Sequence, residues 1–201
     1  GSETAVTEAA DGSSSVVTTD KNGLITAEVE ISEKAVSQAS GKGESILLPM
    51  AEVKASSDWN KAPEIKVSLP GDESLLVEIP VSGVSFGTVA ICNGDVIRNC
   101  VVTENGIMLE ISDGDTIKIG DNSKDFSDGS SSHWASDYID FAVSRQLFSG
   151  MSESTFEPET TMTRGMILTV LARYEGIDTS VSEVWYEDGR QWAVKNGISD
   201  G

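Results

Sequence analysis

The chain has 201 residues, and its 33 Asp and Glu against 14 Lys and Arg give a formal net charge of -19. That balance argues against a broad basic face gripping nucleic acid or anionic lipid, so no nucleic-acid partner is expected. No apolar run approaches the ~20 residues needed to cross a bilayer, so no membrane insertion is expected either.

The N-terminus lacks the basic, apolar and small-residue order of a signal peptide. Gly1-Ser2 reads as an expression scar and the abrupt finish at Gly201 as the edge of an internal piece of a longer protein. Residues 1–21 are rich in Ser, Thr, Ala, Glu and Asp, a composition that buries too little to offset its ordering entropy. They are expected to be a disordered linker lending at most one edge strand. From Leu24 the pattern changes to strict alternation, with Ile25, Ala27, Val29 and Ile31 apolar and Thr26, Glu28 and Glu30 polar between them.

The same period of two returns in Ile65-Val67-Leu69, Leu75-Val77-Ile79-Val81, Val89-Ile91, Ile107-Leu109-Ile111 and Ile117-Ile119. Pro70-Gly71-Asp72, Asn93-Gly94-Asp95, Asn105-Gly106 and Asp113-Gly114-Asp115 supply the turns between these runs. The last four strands therefore read as an antiparallel meander. Between the first strand and the rest, Ser32 can cap a short helix over Glu33 to Ala39 that Gly41 ends. The stretch from Leu47 through Pro63 gives no decisive period. Residues 22–122 thus form a small antiparallel β-rich domain with one helix, sandwich-like or a rolled sheet. Cys92 and Cys100 lie in it without metal-ligand spacing. A hairpin around Gly94 and Asp95 would set Cys92 opposite Ile97 and Cys100 opposite Val89, so a disulfide is not the default.

After Asp121-Asn122-Ser123-Lys124 the period switches to about 3.6, marking a domain boundary. Trp134, Tyr138, Phe141, Ala142, Leu147 and Phe148 define one face of a helix that Ser131 or Ser132 can cap and Gly150 ends. A second helix starts at Thr163 and should bury Ile167, Val170, Leu171 and Tyr174, with Arg173 in its last turn and Gly176 beyond. The fold class is therefore α+β: the β-rich domain, then an all-α helical-repeat segment.

Catalytic and metal chemistry find little support. His133 is the single histidine, so any Ser-His-Asp or Cys-His arrangement must use it, yet it sits beside Trp134 at a helix start where a structural role is ordinary. No enzyme activity and no cofactor are expected. The acidic loop from Asp121 to Asp125 resembles a calcium loop in spacing, but Phe126 replaces the needed Gly and Ser132 the closing Glu. Solvated turn carboxylates are the ordinary account of Asp113-Gly114-Asp115 as well.

Shifting the sequence by 51 positions lays Trp134 over Trp185, Phe141 over Trp192, Ala142 over Ala193, Val143 over Val194, Leu147 over Ile198 and Gly150 over Gly201. Fixed spacing of this kind marks stacked units whose faces are completed by neighbours. Residues 123–178 are the first unit and 179–201 the start of a second.

Phe126-x-Asp128, His133-Trp134-Ala135, Ile139-x-Phe141-Ala142, Leu147-Phe148-x-Gly150, Phe156-x-Pro158 and Met162-Thr163-Arg164 follow one another in order. They are succeeded by Trp185-Tyr186, Trp192-Ala193 and Asn196-Gly197-Ile198-x-x-Gly201. This last part of the chain resembles the S-layer homology repeat. The segment before it, with Val77-Glu78-Ile79-Pro80-Val81, Gly87-Thr88-Val89-Ala90 and Thr116-Ile117-Lys118-Ile119, resembles more loosely the β module that often precedes such repeats in Gram-positive surface proteins.

The resemblance implies an extracellular protein at the cell surface, held to the cell wall by repeats that act in sets of three as a pseudo-threefold bundle. Its partners would be a cell-wall polysaccharide, often pyruvylated, and further repeats of the full-length chain. The implied carbohydrate-binding residues are Arg164, Thr163, Trp134, Asp128 and Trp185. The family's Thr-Arg-Ala-Glu signature becomes Thr163-Arg164-Gly165-Met166, which keeps the arginine and loses the glutamate; Met166 is not expected to complete a capping box. Arg164 would project from the first helical turn beside free N–H groups, a place suited to a carboxylate.

Each assignment has an ordinary rival. Arg164 can be a surface ion-pair partner, Trp134 and Trp185 core anchors rather than sugar platforms, and Asp128 a shaper of its loop. A net-negative module binding an anionic polymer gains nothing from long-range attraction, so the expectation is a local pocket with modest affinity multiplied across repeats. The alternative functions are an accessory, non-catalytic region of an exported enzyme, and an adhesive module of a surface protein.

Overall fold

Strands form throughout the first part of the chain wherever alternation lets one face leave water. The computed structural model describes residues 1–42, 44–129 and 132–201, and divides the chain into two units, 1–122 and 123–201. In the first unit β1 (Glu3–Glu8), β2 (Ser14–Thr19) and β3 (Ile25–Glu30) precede helix α1 (Glu33–Lys42). Next come β4 (Ile46–Leu47), β5 (Val53–Lys54), β6 (Glu64–Ser68), β7 (Leu75–Ser82) and β8 (Thr88–Cys92). The unit ends with β9 (Asp95–Val96), β10 (Val101–Val102), β11 (Gly106–Ile111) and β12 (Thr116–Asp121).

These strands build two sheets, one in the order β1-β2-β3-β6-β12-β8-β9 and the other in the order β10-β11-β7-β4, with β5 also paired to β7. Inward side chains of both, including Val29, Ile65, Val67, Ile117 and Ile119 from the first and Val77, Ile79, Ile107 and Leu109 from the second, belong to one buried cluster. Two sheets sharing a core are a sandwich, and each such side chain taken from water stabilises it by about 1.5–3 kcal/mol. Helix α1 adds Ala35 and Ala39 to the same cluster.

Three expectations change. Residues 1–21 are not a linker: β1 and β2 pair in register from Glu3↔Thr19 to Glu8↔Ser14, and β2 pairs with β3. Main-chain hydrogen bonds and small polar side chains do here what apolar ones do elsewhere. Ser13 and Ser15 are buried beside Val17, and the Ser15 hydroxyl donates to the Pro49 carbonyl at 2.7 Å. The last strands are not a meander, because β7 pairs with β11 while β8 pairs with β12, so consecutive strands change sheet. Nor is the domain purely antiparallel, since β3 runs parallel to β6 and both β4 and β5 run parallel to β7.

Local chemistry explains the joints. The Ser32 hydroxyl accepts from the Ala35 N–H at 3.1 Å and caps α1, which continues through Gly41 to Lys42 instead of ending before it. At Gly106 (φ 153°) an added Cβ would lie 2.0 Å from the Ile79 carbonyl oxygen, so the β7–β11 pairing requires glycine there. The hairpin of β8 and β9 turns on Asn93-Gly94, setting Cys92 opposite Asp95 rather than Ile97. Cys92 and Cys100 are buried and not joined in a disulfide, and burial, reinforced by Asp115, pushes the Cys92 thiol up to about 11.

The second unit contains α2 (Ser136–Ser144), α3 (Arg164–Tyr174) and α4 (Glu187–Lys195). Its small core gathers Phe126, Ala135, Ile139 and Val143, with Phe148 and Phe156 against it. The faces of α2 and α3 are rotated from those expected. Helix α2 buries Ile139 and Val143 while Trp134 and Tyr138 stand 76% and 68% exposed, and α3 buries Leu168, Thr169 and Ala172 while Ile167, Leu171 and Tyr174 face outward. On α3 the reason is the approach of α4: a Cβ on Gly189 would lie 2.7 Å from the Thr169 Cα, so small residues must line that contact and large ones are displaced to its flanks.

Helix ends repeat as well. Leu147 N–H bonds the Ala142 carbonyl, Ile177 that of Ala172 and Ile198 that of Ala193, each following a residue of positive φ: Gln146, Gly176 and Gly197. Helix α2 therefore stops at Ser144, short of Gly150, and its N-cap position is Ala135 with no side-chain cap. Ser131, one of the two expected caps, lies outside the described residues.

Candidate functional site

Thr163 has the extended backbone of an N-cap, and its Oγ1 accepts from the Met166 N–H at 3.3 Å. In return the Thr163 N–H donates to the Met166 Sδ at 3.4 Å. The capping box expected to be broken is thus closed, with a thioether, a weak acceptor, in the place of a carboxylate. This fixes the first turn of α3 and with it Arg164.

Arg164 Nη2 donates to the Asp200 Oδ1 at 2.8 Å and to the Ser199 Oγ at 2.5 Å, reaching from the first repeat to the segment that follows α4 in the second. The guanidinium holds the Asp200 carboxyl below its ordinary range. Both partners are largely in water, 61% and 94% exposed by side chain, so the ion pair itself contributes little stability.

Arg164 lines a cavity of about 370 Å³ together with Thr163, Gly165, Leu168, Trp185, Tyr186, Arg190 and Gly201. Trp185 and Tyr186 meet edge to face at 5.3 Å, and a Cβ added to Gly165 would stand 3.2 Å from that of Tyr186. Glycine in the second place after the cap thus lets the aromatic pair close on α3. Trp185 also borders a larger, mostly apolar cavity of about 550 Å³ formed with Phe148, Met151, Phe156, Met162 and Met166.

Of the five residues singled out in the sequence, the structure brings Thr163, Arg164 and Trp185 to one cleft and leaves two outside it. The Asp128 carboxylate accepts from the Phe156 and Glu157 N–H groups at 2.8 and 2.7 Å, and these bonds hold its pKa below the usual value. It ties one loop to another, the ordinary reading given above. Trp134 is no core anchor: it lies on the surface against His133 and Tyr138, with ring centroids 5.8 and 6.4 Å away. Sequence reasoning missed Tyr186, Arg190 and Asp200; the 51-residue shift offered the signal for Arg190, since it sets that residue over the buried Ile139.

Among the described residues no group of three or more His, Cys, Asp or Glu side chains is placed to hold a metal ion. No helix among them is long and apolar enough to cross a membrane.

The β-sandwich unit is followed in the chain by a helical-repeat unit that holds a cleft between successive repeats. Residues 125–165 match the S-layer homology domain family, and the match takes in both the cap Thr163 and Arg164. The helical unit therefore carries a stretch similar to the S-layer homology domain. Domains of this family are non-catalytic anchoring modules associated with the bacterial cell surface and wall. An endoglucanase of Bacillus sp. (strain KSM-635) is 26% identical over 89 residues, covering 44% of this chain and 10% of that enzyme, so the chain spans about a tenth of this relative's length. No solved structure matches the chain.

Proposed function

We propose that this chain anchors an exported bacterial protein non-covalently to the cell wall, with the helical-repeat unit gripping a secondary cell-wall polysaccharide and the sandwich serving as a spacer. The observation that carries this reading is the cleft itself, where an arginine fixed by its helix cap already holds a carboxylate beside two exposed aromatic rings. A pyruvyl ketal on a sugar presents the same pairing of carboxylate and apolar ring face. With a net charge of -19 the chain gains no long-range attraction to such a polymer. Each cleft is therefore weak alone, and further repeats of the full-length chain raise retention by about 10²–10⁴ through effective concentration.

A second reading is favoured by the endoglucanase relative, whose aligned region is a small part of its length. On that reading the chain is the non-catalytic accessory region of an exported enzyme whose active site lies elsewhere. The two readings are compatible, because the same anchor serves either cargo.

A form of the protein extended through further repeats is expected to be retained on purified wall sacculi. Arg164→Ala in that form should lower retention about tenfold, the worth of one charge-assisted contact, with an unchanged melting temperature. Unchanged retention would remove Arg164 from the site.

A further inference from the structure

The two outward faces of the sandwich differ in chemistry. Across β3, β6 and β12 of the first sheet every outward side chain is polar or a glycine, and charges answer one another between strands: Glu28 stands opposite Lys66, and the Lys118 ammonium lies 3.7 Å from the Glu64 carboxylate. The second sheet is arranged otherwise. Its register lays Leu47, Glu78, Met108 and Val101 in one outward row across β4, β7, β11 and β10, with Leu76 opposite Glu110 in the next row. Leu47, Leu76 and Val101 stay 52%, 37% and 39% exposed, so these apolar side chains meet water at places that the central strands of the first sheet give to polar residues.

Two carboxylates sit among these side chains, held by neutral donors. Thr103 Oγ1 donates to Glu78 Oε1, Asn105 Nδ2 donates to both Glu78 oxygens at 3.3 and 3.2 Å, and Ser74 Oγ donates to Glu110 Oε1 at 3.1 Å. Among the described residues no Lys, Arg or His forms an ion pair with either carboxylate. Lys54 on β5 is the basic side chain at an outward place of this sheet among those residues, and it stands opposite Ser82, two outward places along β7 from Glu78. Glu78 and Glu110 lie diagonally across β7 and β11, about 7–8 Å apart by backbone geometry. Apolar neighbours thin out the water around both charges, so a cation brought to this face gains more than it would on an open surface.

We propose that the outer face of the second sheet docks an extended protein segment carrying two basic residues two places apart, flanked on the same side by aliphatic ones. Alternate residues of a strand lie about 7 Å apart, which matches the diagonal of Glu78 and Glu110. A second copy of this face does not fit, because an isologous pairing would set the two carboxylates against their like with no cation between them. The net charge of -19 likewise favours a partner of opposite sign. This inference is independent of the wall-anchoring reading, since the helical unit takes no part in it, and it gives the sandwich a partner beyond its service as a spacer.

The test titrates the whole methyl-labelled chain, by NMR, with the capped heptapeptide Leu-Thr-Lys-Thr-Lys-Thr-Leu and with its twin carrying Gln in place of both Lys. The Lys peptide should shift the methyl signals of Leu47, Leu76, Val101 and Met108, and the Gln peptide should bind about tenfold more weakly, the worth of two partly exposed ion pairs. Glu78→Gln should weaken the Lys peptide about threefold, and Leu76→Lys, which sets a cation on an already exposed place of the face, at least tenfold, both with an unchanged melting temperature. Glu28→Gln alters the net charge equally on the other sheet and should leave binding unchanged. Equal binding of the two peptides overturns the proposal, as does the absence of shifts at millimolar peptide or their appearance on the first sheet or the helical unit. Shifts of the same methyls that grow with protein concentration in the absence of peptide would assign the face to a second copy and overturn it too.

Discussion

The sandwich and the helical unit dispose of their apolar side chains in opposite ways. On β7, β11 and β12 the inward residues Val77, Ile79, Ile107, Leu109, Ile117 and Ile119 are all essentially inaccessible to water, and the sheets cover one another. The helical unit closes on a handful of residues around Phe126 and Ile139 and leaves Trp134, Tyr138, Ile167, Leu171 and Tyr174 exposed. A sheet pair finishes its own core, whereas a repeat finishes its core only with a neighbour. The lesson concerns function as much as stability: incomplete faces between repeats are where clefts arise, and the cleft of Arg164 lies where a second copy begins to cover the first.

Breaking each unit at its closest backbone approach should show the contrast most strongly. Gly106→Val would force a β-branched side chain into a left-handed backbone and against the Ile79 carbonyl, so a loss of about 4 kcal/mol or more is expected, read as a collapse of the sandwich's denaturant midpoint. Gly189→Leu should cost about 2–4 kcal/mol by pushing α4 off Thr169. It should also reduce wall retention in a repeat-extended form, because the cleft's two sides move apart.

Asp128→Asn tests the loop clasp of the helical unit. The Phe156 and Glu157 N–H groups hold the folded Asp128 carboxyl below the ordinary carboxylate value, so its contribution is present above that ordinary value and is lost as pH falls through the folded one. Thermal melts of the native protein should therefore lose stability below about pH 4, and the variant should melt several degrees lower at pH 7 with a weaker acid dependence. Parallel curves for the two proteins would show that Asp128 does not clasp. The smallest effect expected is a gain. Gln146 is exposed with φ 57° where the second copy has Gly197, so Gln146→Gly should stabilise the helical unit by about 0.5–1 kcal/mol in urea unfolding.

Alternation made β3, β6, β7, β8, β11 and β12 legible, and the change to a helical period after Lys124 and the 51-residue spacing did the same for the helical unit. Three features were not, each for a physical reason. Strands β1 and β2 carry serines and threonines where the pattern seeks apolar residues, because main-chain pairing with β3 and buried hydroxyl contacts support them. The pairing of β7 with β11 depends on strands changing sheet, which no local period records. The buried faces of α2 and α3 were misread because the large residues were assigned inward, while on α3 the close packing of Gly189 against Thr169 favours small ones.

In the site, Thr163 and Arg164 were legible as a motif and Trp185 as a repeat partner. Met166 was misjudged because a sulfur atom can take the reciprocal hydrogen bond that a carboxylate usually accepts. Asp200 was invisible because its role arises from contact across 36 residues of chain.

The most direct measurement compares retention on intact wall sacculi and on sacculi stripped of their secondary polysaccharide, for residues 1–122 alone and for the protein carrying its repeats. The repeat-bearing form should be held by intact walls and washed from stripped ones, with the sandwich washed from both. Equal retention of the repeat-bearing form on the two walls, or retention by the sandwich alone, would contradict the assignment of wall attachment to the helical unit.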